Sequence, residues 1–155
     1  MSLAAERKYV LDTNLFIRSF REEAANAELQ HFHQLFAPFE YLSTVVAQEL
    51  RAGARSPAAR RQLERHVLDP YSRRGRVVTP SAQAWHDSGD ILAELARREG
   101  LEVGRLSKAF GNDLLLATSC REEGLVLVTD NVRDFERIAR LAPFVFLDRW
   151  PSPRS

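Results

Sequence analysis

The sequence predicts an α/β domain of three layers, α/β/α, built around a mostly parallel central sheet. Three observations carry that prediction. Short, continuous apolar runs rich in β-branched residues read as strands buried on both faces. They alternate with longer stretches of helical composition, the pattern of successive βαβ units. Serine and proline stand where helices should start, and glycine where they should stop.

Taken in order, the first strand is KYVL, Lys8 to Leu11. AANAELQHFHQLF (24–36) is helical, and a second strand runs from Glu40 to Leu42. TVVAQELRAG (44–53) makes a helix closing on Gly53, and SPAARRQLERHVL (56–68) makes one opening on Ser56-Pro57. RVV, Arg76 to Val78, is the third strand. Pro80-Ser81 starts the helix SAQAWHDSGDILAELARREG, which ends on Gly100. LSKAFGNDLLLATSCREEG ends in the same way on Gly124. LVLV, Leu125 to Val128, and FVF, Phe144 to Phe146, complete the strands.

Residues 1–150 are thus expected to form one domain, with PSPRS (151–155) a disordered tail. A hydrophobic fraction of 45% and a charged fraction of 28% are those of an ordinary globular protein. No apolar run is long enough to span a bilayer, and MSLAAERKY has no signal-peptide core, so no membrane association is expected. A single cysteine, Cys120, excludes an internal disulfide and fits a reducing cytoplasm. In its apolar helical setting it is core filler rather than a nucleophile.

The net charge of +1 does not mark a strong polyanion binder. The kind of charge is more informative: 20 of the 22 basic residues are arginines, Lys8 and Lys108 being the exceptions. The guanidinium fork suits phosphate, although base composition accounts for most arginines in a chain this rich in alanine. One cluster stands out. Arg60, Arg61, Arg65, Arg73, Arg74 and Arg76 gather beside Tyr71, as either a phosphate track or a solvated face with partial Glu64–Arg60 pairing.

Sites in open α/β sheets form beyond the carboxyl ends of the strands. Asp12 follows YVL directly and Asp130 follows LVLVT directly, so both fall at one edge of a parallel sheet. By themselves they read as helix caps. Glu49 and Asp113 shift the balance. On a helix, Glu49 neighbours Val45, Val46, Ala52 and Gly53, and Asp113 neighbours Ala109, Phe110, Leu116 and Ala117. Each carboxylate therefore lies in or beside a stripe that should face the core.

Burying several carboxylates together costs desolvation and mutual repulsion, which a shared cation relieves. An oxygen-only donor set suits Mg²⁺ or Mn²⁺ rather than zinc. His31, His33, His66 and His86 read as surface or edge residues, not ligands. Pairing of the acids with arginine is the competing explanation. Neither Arg51 nor Arg121 has the three- or four-residue spacing of a helical ion pair.

The set Val10-Leu11-Asp12-Thr13-Asn14, Glu49 in STVVAQEL, Asp113 in GNDLLLATS and the C-terminal LVTDNVRDF resembles the PIN-domain ribonucleases. Most specifically it resembles the VapC toxins of toxin–antitoxin pairs. The resemblance covers nearly the whole chain, in order. It implies a metal-dependent endonuclease acting on RNA, with Asp12, Glu49 and Asp113 as the acidic core. Thr13, Asn14 and Thr129 become supporting polar groups. There is one departure. The family's last motif reads Thr, any residue, then Asp or Asn, which puts Asn131 at the fourth site. Asp130 and Asp134 are both candidates for a fourth acid, Asp134 also being placed to cap the helix that follows.

The resemblance also implies a homodimer held inactive by a small antitoxin. Leu15, Phe16, Phe32, Leu35 and Phe36 are candidates to line its groove, against a simple role in the core. Two alternatives share the same residues: an RNA-processing PIN nuclease without an antitoxin, and a catalytically silent PIN-like module binding RNA or protein. Two unrelated folds fail on particular residues. A response-regulator receiver needs a lysine after its last strand, and only Lys8 and Lys108 are present. A haloacid-dehalogenase phosphatase needs an Asp where Asn14 stands.

Overall fold

The computed structural model describes residues 7–153. Five strands form one wholly parallel sheet in the order β3-β2-β1-β4-β5. They are β1 (Lys8–Leu11), β2 (Glu40–Ser43), β3 (Val77–Val78), β4 (Leu125–Val128) and β5 (Phe146–Leu147). Helices flank the sheet as the outer layers: α1 (Thr13–Arg21), α2 (Glu23–Phe36), α3 (Thr44–Gly53), α4 (Pro57–Leu63), α5 (Asp69–Arg73), α6 (Ala82–Glu99), α7 (Lys108–Glu123) and α8 (Val132–Leu141).

The central strands are apolar because both of their faces are covered. Val10, Leu11, Leu127 and Val128 are at most 2% exposed. Phe16 of α1, Val46 of α3, Leu114 and Leu116 of α7, and Phe135 and Ile138 of α8 pack around them. The side chains of Ser43, Ser56, Ser81 and Ser107 cap α3, α4, α6 and α7 by accepting backbone N–H bonds. Gly100 and Gly124, at φ +64° and +66°, terminate α6 and α7 in the left-handed region that glycine enters without strain.

Several boundaries differ from the sequence reading. The third strand is two residues, Val77–Val78, and the fifth is Phe146–Leu147 instead of Phe144–Phe146. The expected 56–68 helix breaks at a π-helical turn, Glu64–Leu68, and continues as α5. The sequence assigns no boundaries to α1 or α8. In α1, TNLFIRSFR is rich in aromatic and branched residues, and only its cap by Asp12 marks it as helix. Of the expected 151–155 tail, residues 151–153 carry no helix or strand, and 154–155 lie outside the described residues. No helix among the described residues is long and apolar enough to cross a membrane.

One buried charge escaped the sequence reading. Glu40, at the start of β2, is 1% exposed. Tyr71 donates its hydroxyl to Glu40 Oε1 at 2.6 Å, and His33 Nδ1 lies 2.7 Å from Oε2. His33 is therefore half-buried and paired, where a surface or edge position was expected. Burial and the neighbouring Glu40 hold the Tyr71 hydroxyl well above its usual range.

Candidate active site

The order of the sheet reverses between β1 and β4, the switch point where α/β proteins form their sites. β1 ends at Leu11, paired with Val128 at the end of β4. The next residue on each chain segment, Asp12 and Thr129, is buried. Asp12 caps α1, its Oδ1 accepting from the Thr13 N–H at 2.8 Å. Its Oδ2 accepts the Thr129 hydroxyl at 2.7 Å. The carboxylate at the end of YVL is thus both a cap and a member of the site.

The helices bring the other acids to this edge. Thr13 donates its hydroxyl to Glu49 Oε1 of α3 at 2.7 Å. Asn131 is held by its backbone N–H, which donates to Thr129 Oγ1 at 2.9 Å. Its amide then donates to Asp113 Oδ2 of α7 and to Asp134 Oδ2 of α8, each at 3.3 Å. Asp134 lies in the first turn of α8 and makes no capping bond; its partner is Asn131.

Two expected residues stand apart from this network. Asn14 is exposed and has no hydrogen bond to the cluster. Asp130 turns outward to Arg18 of α1, whose Nη1 donates to it at 2.9 Å. Arg18 is a residue that sequence reasoning missed, since no spacing rule connects α1 to a turn after β4. The arginines of the α4–α5 region are exposed. Arg60 donates to the Ala54 carbonyl, Arg73 lies 4.0 Å from Asp69, and none of Arg60, Arg61, Arg65, Arg73 or Arg74 bonds to a cluster acid.

Proximity of like charges registers in the acids. Burial pushes the Asp12 carboxyl up to about 6, with Glu49 and Asp130 adding to it and the bonds from Thr129 and Thr13 opposing it. Asp113 is pushed to about 8, by burial first and then by Asp12, Glu49 and Asp134. Without a cation, Asp113 therefore holds its proton at neutral pH. Burial, helped by Asp12, also pushes the Cys120 thiol up to about 12, so it is inert core.

A PIN-domain family model matches residues 9–141. This chain belongs to the PIN-domain family. Among its relatives, the tRNA(fMet)-specific endonuclease VapC of Shigella flexneri is 34% identical over 86% of this chain and 94% of that protein. Ribonuclease VapC2 of Rickettsia felis is 29% identical over 92% and 97%. The solved DNA-bound VapBC from Salmonella typhimurium superposes with a TM-score of 0.66 at 28% identity, over 91% of this chain and 97% of that one. FitAcB from Neisseria gonorrhoeae gives the same TM-score at 19% identity, over 93% and 99%, and shares the fold.

The donor set of this PIN domain fits a hard cation. Its groups are carboxylates, and their mutual repulsion is what a bound cation relieves. Among the described residues no three His, Cys, Asp or Glu side chains close into a ready-made cage.

An apolar groove of about 480 Å³ lies beside the cluster, between α1, α3 and α4. Ile17, Phe20, Leu50, Ala54, Leu63 and Val67 line it, with Glu49 at its rim. Of the apolar residues weighed between groove and core, Phe16, Phe32 and Phe36 are core. Leu15 is half-buried against that core and Leu35 is exposed.

Proposed function

We propose that this PIN-domain protein is an Mg²⁺-dependent endoribonuclease, the toxin of a toxin–antitoxin pair. The observation that carries the reading is the cluster at the switch point, where Thr13, Thr129 and Asn131 tie Glu49, Asp12, Asp113 and Asp134 into one hydrogen-bonded set. The relatives support it by their names, as ribonuclease VapC2 and tRNA(fMet)-specific endonuclease VapC. Solved neighbours include VapBC2 from Rickettsia felis bound to a promoter DNA fragment, at 25% identity and a TM-score of 0.62.

In this reading Asp12 and Asp113 hold the metal. When bound, Mg²⁺ lowers the pKa of a water and relieves negative charge on the scissile phosphate. Thr129 and the Thr13 N–H keep the two Asp12 oxygens fixed, and the Asn131 amide holds Asp113 by one oxygen, Oδ2. Glu49, aimed by the Thr13 hydroxyl, accepts the proton of the attacking water. Manganese, with the same preference for oxygen, serves in place of magnesium. The enzyme works in the cytoplasm as a homodimer. Initiator tRNA is the first RNA to test, given the named substrate of the Shigella relative.

The antitoxin seats an apolar segment in the α1–α3–α4 groove and extends a basic side chain past Glu49, in competition with Mg²⁺. Sequencing of RNA ends after induced expression tests the activity, with Asp12→Asn as control. A small set of new ends, absent from the control, is expected. Co-expression with a small open reading frame found immediately upstream of its gene should suppress those ends. A monomer without a copurifying partner that still cuts RNA points to the RNA-processing reading.

A further inference from the structure

We infer that an arginine stripe on α8, with Arg98 of α6, is the track that holds the RNA backbone beside the acidic cluster; this rests on the ribonuclease reading above. α8 buries Phe135 and Ile138. Arg133, Arg137 and Arg140, at positions i, i+4 and i+7, share another face of the same helix. With Arg98 they line an open groove of about 780 Å³. Asn131, Asp134 and Glu99 line it too, and Asn131 bridges Asp134 to Asp113. The groove therefore leads directly from the cluster to a row of guanidinium groups.

The charges along it are not all equivalent. Arg137 is anchored by a bond to Glu99 and lies over the Phe110 ring, 5.0 Å from its centroid. Arg98 is bonded to Glu94 at 2.6 Å. Arg133 and Arg140 are exposed and, among the described residues, have neither a hydrogen bond nor an ion pair. They are not consumed in neutralising the nearby acids. A cluster of carboxylates repels a polyanion, so a substrate approaching Asp113 needs positive potential close by, and this face supplies it.

The lining also selects the class of occupant. Leu95 is buried and Leu141 half-buried, and no exposed aromatic anchor projects into the groove. Aromatic anchors are common at protein interfaces, whereas phosphate contacts are made by exposed cations such as Arg133 and Arg140. The α4–α5 arginines differ in setting. They are carried by elements whose Ala59, Leu63 and Val67 face the apolar groove.

The test measures binding of fluorescein-labelled bulk tRNA by anisotropy across a salt titration, in an Asp113→Asn background that binds without cutting. Arg133→Ala/Arg140→Ala should weaken binding roughly ten-fold and reduce the log–log salt slope by about 0.7 per lost phosphate contact. Arg133→Lys/Arg140→Lys should keep the slope, since the charge remains. Arg7→Ala/Arg121→Ala, at the opposite edge of the sheet, should keep both affinity and slope. In the active chain the α8 double alanine variant should raise KM and leave kcat within about two-fold, as loss of uniform binding does. An unchanged slope and KM in a protein that binds and cuts RNA overturns the track while leaving the ribonuclease reading intact. Failure of the unmodified chain to cut any RNA overturns both. Loss of antitoxin co-purification with RNA binding unchanged makes the stripe a protein interface and overturns the track.

Discussion

Thr129 donates its hydroxyl to Asp12 across the seam between β1 and β4, at 2.7 Å. The same oxygen accepts the Asn131 N–H, so one threonine positions both the first acid and the amide that reaches Asp113. Thr129→Val should lower RNA cleavage about 10- to 100-fold with the fold intact, the usual effect of removing a group that orients a metal ligand. The bond favours the ionised Asp12, so its loss should also move the acid limb of the pH–rate profile upward. Thr129→Ser should restore both. A valine variant with unchanged rate and pH profile would show that the bond has no functional part.

Stability of the metal-free protein should fall as pH rises. The ordinary carboxyl value is 3.8, whereas Asp12 stands at about 6 and Asp113 at about 8 in the fold. Between those values the native state binds more protons than the unfolded chain, so stability is lost on going up through the window. In EDTA the urea midpoint should be higher at about pH 5 than at about pH 8. Asp113→Asn should flatten this trend and stabilise the protein by on the order of 1–3 kcal/mol at the alkaline end. Added Mg²⁺ should recover stability at that end in the unmodified protein and much less in the variant. A midpoint that climbs with pH in EDTA would contradict the acidic-cluster account.

Asp134 and Asp130 should separate in function. Asp134 shares the Asn131 amide with Asp113, while Asp130 is turned out to Arg18. Asp134→Asn should therefore reduce kcat/KM more than Asp130→Asn does, and both less than Asp12→Asn or Asp113→Asn. The reverse order in single-turnover cleavage would make Asp130 the fourth acid.

The sheet was legible in the sequence because its strands are buried on both faces, which makes LVLV and KYVL continuous apolar runs. Glu49 and Asp113 were legible for the complementary reason, as charges beside apolar helical stripes. What stayed hidden depends on contacts between residues distant along the chain. Arg18 reaches Asp130 from α1, and Glu40 meets Tyr71 only after β2 and α5 pack. Glu40 also opens a strand, where a charge reads as an ordinary boundary. Phe32 and Phe36, weighed between groove and core, lie in the core, stacked on each other and edge-on to Tyr9, a fate helical periodicity alone does not separate from an exposed strip.

Glu40 should matter for folding and not for chemistry. Glu40→Ala leaves the Tyr71 hydroxyl and His33 without their shared buried partner, which should destabilise the protein by roughly 1–3 kcal/mol in urea unfolding. Tyr71→Phe should cost about 1–3 kcal/mol, by leaving one Glu40 oxygen unbonded. Below the unfolding transition, both variants should retain the unmodified metal dependence of cleavage. A stable Glu40→Ala protein with altered Mg²⁺ dependence would join Glu40 to the site.

The most direct test of the central claim is cleavage of total RNA by the purified protein, in EDTA, after restoration of Mg²⁺, and with Asp113→Asn in parallel. No cleavage in EDTA, return of discrete fragments with Mg²⁺, and a rate lower by roughly 10²-fold or more in the variant are expected. Equal cleavage by the protein and by Asp113→Asn, undiminished by EDTA, would contradict that claim.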